Sequence, residues 1–164
     1  MKKFKINFSN KALKGIKQDV KKYPWHEMPT KGGWVYGTNL PYMKNLCKYW
    51  VNKFDWKTHE KKINSFSNFK TKIENIDIHF IKEEGSGSSP KPLLLMHGWP
   101  GSVLEFVHII KKLAHPEKFG GNINDAFTVI IPSLPGFGFS GKPSNPIGPR
   151  KIAKMLNKLM IKRL

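Results

Sequence analysis

Two short apolar runs constrain this chain more than anything else in it: Leu93-Leu94-Leu95-Met96, and Phe127 to Ile131, apolar except for Thr128. Neither alternates apolar with polar residues, so neither suits a strand with one face in water. Both need cover on two faces, as the strands of a parallel sheet have. Helix chemistry stands between and after them. Ser102 and Glu105 make a Ser-x-x-Glu capping box, and Phe106, Ile109, Ile110 and Leu113 form the core face of the helix it opens. Ile152, Met155, Leu156, Leu159 and Met160 mark a second amphipathic helix that reaches the terminus at Leu164. Apolar strands alternating with helices predict an α/β domain on a parallel sheet.

Before Pro92 the pattern is different. Leu13, Ile16 and Val20 recur at helical spacing until Lys22-Tyr23-Pro24 ends the segment. Tyr23 to Gly37 is irregular and aromatic, with Trp25, Trp34 and Tyr36 among prolines and glycines, and its rings are expected to be buried against another surface. Asn39 predicts a helix cap with Pro41 in the first turn, and Tyr42, Met43, Leu46, Tyr49 and Trp50 the apolar face of that helix. Asp55 caps a further short helix through Ile63. Residues 75–82 alternate, with Ile76, Ile78 and Phe80 on one side and Asp77 and His79 on the other, the period of a half-buried strand. The Gly-Ser-rich stretch from Glu83 to Pro92 is a surface loop. The chain therefore divides into a helical, aromatic-rich segment, 1–89, and the first strands and helices of an α/β core, 90–164.

The formal net charge of +18 raises nucleic acid as a partner. The excess is almost all lysine, with only Arg150 and Arg163 offering guanidinium forks, and it is spread along the chain. Solvated faces explain it more simply, and no nucleic-acid partner is expected. A single cysteine, Cys47, rules out an internal disulfide and a cysteine-built zinc site, and its apolar neighbours predict a buried thiol. Asn7, Ser9, Asn10 and Lys11 interrupt the apolar segment a signal peptide or anchor would need, and no run approaches the ~20 apolar residues that cross a bilayer. A cytoplasmic protein without membrane contact is the expectation.

The chemistry sits at the end of the first apolar run. His97-Gly98-Trp99-Pro100-Gly101 follows a strand and precedes a capped helix, and it resembles the His-Gly-x-Pro turn of α/β-hydrolases. With Trp at the third position it is similar to the microsomal branch of the epoxide hydrolases. Trp34-x-Tyr36-Gly37-Thr38-Asn39-Leu40, Tyr49-Trp50, Phe54-Asp55-Trp56 and Ile76-Asp77-Ile78-His79-Phe80 resemble that family's N-terminal domain, and Pro132-Ser133-Leu134-Pro135-Gly136-Phe137-Gly138-Phe139-Ser140 its next core turn. The resemblance thus runs from about Phe4 to the end. It implies the front half of an α/β-hydrolase sheet, a small-molecule epoxide as substrate, and no cofactor or metal.

It also implies roles. Acyl and alkyl-ester chemistry needs N–H donors aimed at a developing oxyanion. By resemblance the Trp99 backbone N–H is one such donor, with Pro100 bending the turn, in such families usually through a cis peptide. Gly98 and Gly101 are expected to let the backbone approach closely. His97 is expected to fix the turn rather than to move a proton. Gly138-Phe139-Ser140-Gly141 imitates a Gly-x-Ser-x-Gly nucleophile elbow, but its last glycine is one place early and Pro143 and Pro146 follow, so Ser140 is read as a turn residue.

Relatives of this type attack with an aspartate from a Gly-Gly-Asp-Trp-Gly elbow, hydrolyse the ester with a histidine–acid pair, and polarise the epoxide with lid tyrosines. By the same resemblance all of these groups fall beyond Leu164, and Asp125 lacks the elbow's flanking glycines. The expectation is an epoxide hydrolase front half lacking its nucleophile, base and acid. The alternative is a non-catalytic remnant or interaction module with the same fold. In either case one strand is expected as an open apolar edge, and the Met155, Leu159 and Met160 stripe as partly uncovered.

Overall fold

The computed structural model describes every residue but Thr30 and Leu164, with side chains through Ile161. Compactness divides it into two units, one of residues 7–61 and the other of residues 1–6 and 62–164. The change of sequence style at 89/90 falls in a loop inside the larger unit, whose sheet draws strands from both sides of it.

That sheet contains β1 (Lys2–Lys3), β2 (Asn68–Ile73), β3 (Ile76–Glu83), β4 (Lys91–Leu94) and β5 (Phe127–Pro132), in the order β1-β2-β3-β5-β4. β4 and β5 run parallel, with Leu93 opposite Val129 and Leu94 opposite Ile130. The other pairings described are antiparallel, so the sheet is mixed rather than all parallel. β2 is an element the sequence reading passed over: Phe69, Thr71 and Ile73 do alternate with Lys70 and Lys72, but Thr71 at the middle position leaves only two apolar residues to mark the strand. It joins β3 by a two-residue turn in which Glu74 and Asn75 both take positive φ, 47° and 66°, the left-handed geometry that suits a tight hairpin.

β3 departs from the half-buried reading. Ile78, His79, Phe80 and Ile81 are all buried, because β3 lies between β2 and β5 and is covered on both faces. β5 is likewise interior, with Val129 and Ile131 facing one core and Ile130 the other. The first core adds Phe66, Val103, Ile110 and Ala114; the second adds Ile73, Ile78, Phe80, Met155, Leu156 and Leu159. β4 is the edge. Its strand stops at Leu94 rather than Met96, its leucines are half-covered, and Met96 is exposed.

The Ser102 capping box forms: Ser102 N–H donates to Glu105 Oε1 at 3.1 Å, and Leu104 N–H to Ser102 Oγ at 3.3 Å. It opens a 3₁₀ turn, Val103–Phe106, and not the long helix expected. An α-helix, α4 in this chain, follows only over Ile110–Ala114. Four β-branched residues, Val103, Val107, Ile109 and Ile110, weaken the helix, and Pro116 stops it. Ile109, read as core, is exposed. The last helix, α5 (Pro149–Arg163), buries Met155, Leu156 and Leu159 against the sheet, so Met155 and Leu159 of the expected stripe are covered while Met160 is half-buried; Leu164 lies outside the described residues. Residues 1–6 are held by β1 and by Asn64, whose side chain donates to the Ile6 carbonyl at 2.8 Å and accepts from its N–H at 2.9 Å.

In the smaller unit the three expected helices form, numbered here α1 (Asn10–Lys21), α2 (Leu40–Asn52) and α3 (Trp56–Asn64). Asn39 Oδ1 caps α2 by accepting from Tyr42 N–H at 2.9 Å, and Asp55 takes Lys57 N–H at 3.0 Å and Thr58 Oγ1 at 2.7 Å. The aromatic residues do not behave as expected. Tyr23, Trp34 and Tyr36 are exposed, as are Tyr42, Leu46, Tyr49 and Trp50 on α2, and Cys47 is only half-buried. The rings pack on one another in pairs, Tyr23 edge-on to Trp25 at 5.0 Å and Trp34 tilted against Tyr42 at 5.1 Å between centroids.

Candidate active site

β4 delivers the chain into the turn. Its last sheet bond runs from Leu95 N–H to the Ile130 carbonyl, 3.0 Å, and the backbone then leaves the sheet. His97 is buried, at 3% exposure, and both ring nitrogens are engaged. Nε2 lies 3.1 Å from the Leu134 amide, which can only donate, so Nε2 accepts. Nδ1 lies 2.9 Å from the Gly98 carbonyl, which can only accept, so Nδ1 carries the proton. The ring is therefore the neutral Nδ1–H tautomer, with no free nitrogen for proton transfer. It ties its own turn to the Pro132–Gly141 turn, and it stands 5.5 Å from the Phe137 ring, edge to face.

The Trp99–Pro100 peptide is cis. The Trp99 indole is 83% exposed, and its backbone N–H has no acceptor among the described residues. An N–H held in a fixed turn at the C-terminal end of a parallel strand can serve a developing oxyanion. The two glycines of the turn are not equivalent. A Cβ on Gly101 would collide with the Glu105 carboxylate and stand 2.8 Å from the Gly98 carbonyl oxygen. A Cβ on Gly98 would meet nothing within 4 Å, so that glycine is not needed for close approach, and its part in the turn is the carbonyl that His97 holds.

The second turn has positive φ at Gly136 and Gly138, 84° and 49°, and a Cβ at Gly138 would press on Ser133 Oγ at 2.7 Å. Ser140 Oγ accepts from His79 N–H at 2.9 Å and donates to the Ser133 carbonyl at 2.7 Å. Its hydroxyl is occupied by backbone, with no base beside it. His79, Asn68 and Ser133, which the sequence reading did not single out, form a buried hydrogen-bonded group under this turn. The available signal was a histidine on a strand whose neighbours, Ile78 and Phe80, are apolar. Asp125 is exposed in a 3₁₀ turn, Ile123–Asp125, ahead of β5.

Ser86, His115 and Glu83 have the residue types of a nucleophile, base and acid: Ser86 Oγ is 2.6 Å from His115 Nδ1, and His115 Nε2 is 3.0 Å from Glu83 Oε1. The same hydroxyl donates to Glu117 Oε1 at 2.9 Å, so its one proton is directed to that carboxylate and not to His115. With Ser86 N–H bonded to the Ala114 carbonyl at 2.8 Å, the group clamps the 84–90 loop to the end of α4. Among the described residues no three His, Cys, Asp or Glu side chains converge to hold a metal.

Comparison with known proteins points the same way. Residues 1–106 match the family described as epoxide hydrolase N terminus, and residues 91–164 the α/β hydrolase fold. The chain is 38% identical over 164 residues to epoxide hydrolase 1 of Oryctolagus cuniculus, covering 97% of this chain and 36% of that one. It is 35% identical over 167 residues to the juvenile hormone epoxide hydrolase of Bombyx mori, covering 98% of this chain and 35% of that one. The solved structure of Aspergillus niger epoxide hydrolase superposes with a TM-score of 0.87 at 26% identity, over 98% of this chain and 42% of that one. The silkworm juvenile hormone epoxide hydrolase gives a TM-score of 0.85 at 32% identity, over 98% and 38%. The chain spans about a third of the length of the curated relatives it matches.

Proposed function

Because the chain belongs to the family of the epoxide hydrolase N terminus, set on an α/β-hydrolase core, we propose that it supplies the oxyanion-binding front half of an epoxide hydrolase. The substrate class is a small-molecule epoxide and the product a diol. The observation that carries this reading is the Trp99 N–H, unpaired among the described residues and held in a turn that His97 locks from both ring nitrogens. In the reaction that the family resemblance implies, an aspartate opens the epoxide to give an ester, and water then hydrolyses that ester. The second step places negative charge on the former carbonyl oxygen, and a preorganised N–H lowers its cost. The rest of this machinery can be checked directly. The coding DNA read past Leu164 should show a Gly-Gly-Asp-Trp-like stretch, and the longest product should hydrolyse an aryl epoxide. If no frame carries such a stretch, the chain is instead a non-catalytic module with the same fold.

No cofactor enters this reading. The lysines are solvated faces in it and not nucleic-acid contacts. The cytoplasm is the proposed location, on a composition with one cysteine. Native protein that stays with membranes through a high-salt wash would overturn that location. Among the described residues no helix is long and apolar enough to cross a membrane.

A further inference from the structure

We propose that His79 is a positioning residue for the oxyanion turn: it orients Ser133 from inside the sheet and, through the Ser133–Leu134 backbone and His97, fixes the Gly98–Trp99 peptide. The inference rests on the reading of Trp99 N–H as an oxyanion donor.

The sense of every hydrogen bond along this path is determined. Asn68 Nδ2 gives its protons to the Ile63 carbonyl at 2.9 Å and the Phe66 carbonyl at 2.8 Å, so its Oδ1 is the atom facing His79 Nε2, at 3.0 Å. An amide oxygen only accepts, so Nε2 carries a proton. The ring has 0% exposure and sits between Phe4 and Phe139, with centroids 5.5 and 5.1 Å away. Burial opposes a charge there, the Lys70 ammonium adds repulsion, and the imidazole is held neutral with its pKa lowered to about 4. A neutral ring protonated at Nε2 accepts at Nδ1, so Ser133 Oγ, 2.9 Å away, donates to it.

The same strand residue holds the turn by its backbone. Ser133 N–H donates to the His79 carbonyl at 2.9 Å, and His79 N–H donates to Ser140 Oγ, which donates on to the Ser133 carbonyl. One residue further, Leu134 N–H donates to His97 Nε2, and His97 Nδ1–H to the Gly98 carbonyl. The two histidines are thus opposite tautomers in series: His79 protonated on Nε2, His97 on Nδ1. The Ser133–Ser140 stretch lies outside the sheet's ladder and outside any α-helix, so these bonds set where Leu134 presents its amide.

Peptide-resolved hydrogen exchange on the 164-residue chain tests this, comparing His79→Asn, His79→Gln, His79→Phe and Ser133→Ala with the unaltered chain. Asn puts an acceptor near the Nδ1 position and keeps the Ser133 bond. Gln reaches only the Nε2 position, and Phe fills the space with neither. The expected result is exchange about tenfold faster in 132–141 for the Phe, Gln and Ser133→Ala forms and, in 15N spectra of the imidazoles, a His97 ring no longer held as the single Nδ1–H tautomer, with exchange in β2 and α5 unchanged. The Asn form should stay within about twofold of the unaltered chain. Ser133→Ala removes a single oxygen and so keeps a folded comparison available. Full protection of 132–141 with an unchanged His97 ring in His79→Phe would show that the ring only fills space, and would overturn the proposal. So would loosening of 132–141 with the His97 ring unchanged, or loosening of β2 and α5 to the same extent. None of these readouts uses an epoxide. A failed hydrolase reading would leave the exchange pattern intact, and a failed exchange pattern would leave the hydrolase reading intact.

Discussion

At the scale of single residues, two buried or paired groups make stability depend on pH, each in its own window. His79 has its folded pKa lowered from 6.5 to about 4, chiefly by burial. The folded state therefore binds fewer protons than the unfolded one. The neutral ring's contribution is fully present above pH 6.5 and is lost as pH falls through 4. Glu74, in the β2–β3 turn, is paired with Lys151 and Lys158 of α5, and their hydrogen bonds hold its carboxyl at about 2, below the ordinary 4.5. Its contribution is present above 4.5 and is lost between 4.5 and 2. Urea unfolding across this range should show His79→Asn flattening the upper window and Glu74→Gln the lower. A curve unchanged by either substitution would refute the assignment. The glycines of the oxyanion turn allow a second test at this scale. Gly101→Ala must displace the Glu105 carboxylate or the Gly98 carbonyl, and should cost about 1–3 kcal/mol. Gly98→Ala has open space and an ordinary φ, and should stay within about 0.5 kcal/mol. Thermal melts of the pair would check this. The two glycines look alike in His-Gly-Trp-Pro-Gly; only the course of the chain after Pro100, which brings Glu105 back over the turn, separates them.

At the scale of elements, local chemistry could be read where bonds span three or four residues and was obscured where partners lie far along the chain. Asn39 and Asp55 were legible as caps because the amides they bind are their near neighbours. Asn39→Ala should weaken α2 by about 1 kcal/mol, measurable as faster amide exchange over residues 40–43. β2 was weakly legible: its lysines alternate as a strand's polar face does, but Thr71 stands in the middle of the apolar side, and its burial depends on the strands that flank it. The Ser102 cap was legible but the length of its helix was not, since β-branched crowding and Pro116 act together over a dozen residues. β4 is an element open to association. It offers one unpaired edge beside half-covered leucines and the exposed Met96. Met96→Lys should reduce concentration-dependent light scattering of the chain while leaving its melt in place. Unchanged scattering would place the association elsewhere.

At the scale of the whole molecule, the proposed oxyanion donor at Trp99 has no nucleophile placed beside it among the described residues. The carboxylate of Glu105 is engaged in the Ser102 cap, Asp125 is exposed in its 3₁₀ turn, and the hydroxyl of Ser140 is bonded to backbone. The purified 164-residue polypeptide should leave an aryl epoxide unhydrolysed; turnover that survives controls for contaminating enzyme would contradict the site reading. Removing the nucleophile from such a unit costs orders of magnitude in rate even when its other parts are intact. The sequence by itself determined the α/β class, the parallel β4–β5 pair, the helix caps and the proline turn of residues 97–101, because these rest on periodicity, capping and turn chemistry within a few residues. Tertiary structure alone decided that the sheet is mixed, that His79 lies inside it, that α5 buries Met155, Leu156 and Leu159 and that the aromatic rings of residues 23–50 stay largely exposed. Each of those outcomes depends on which surfaces meet across dozens of residues. Local pattern does not carry that information, because an apolar face has the same spacing whether or not another surface covers it.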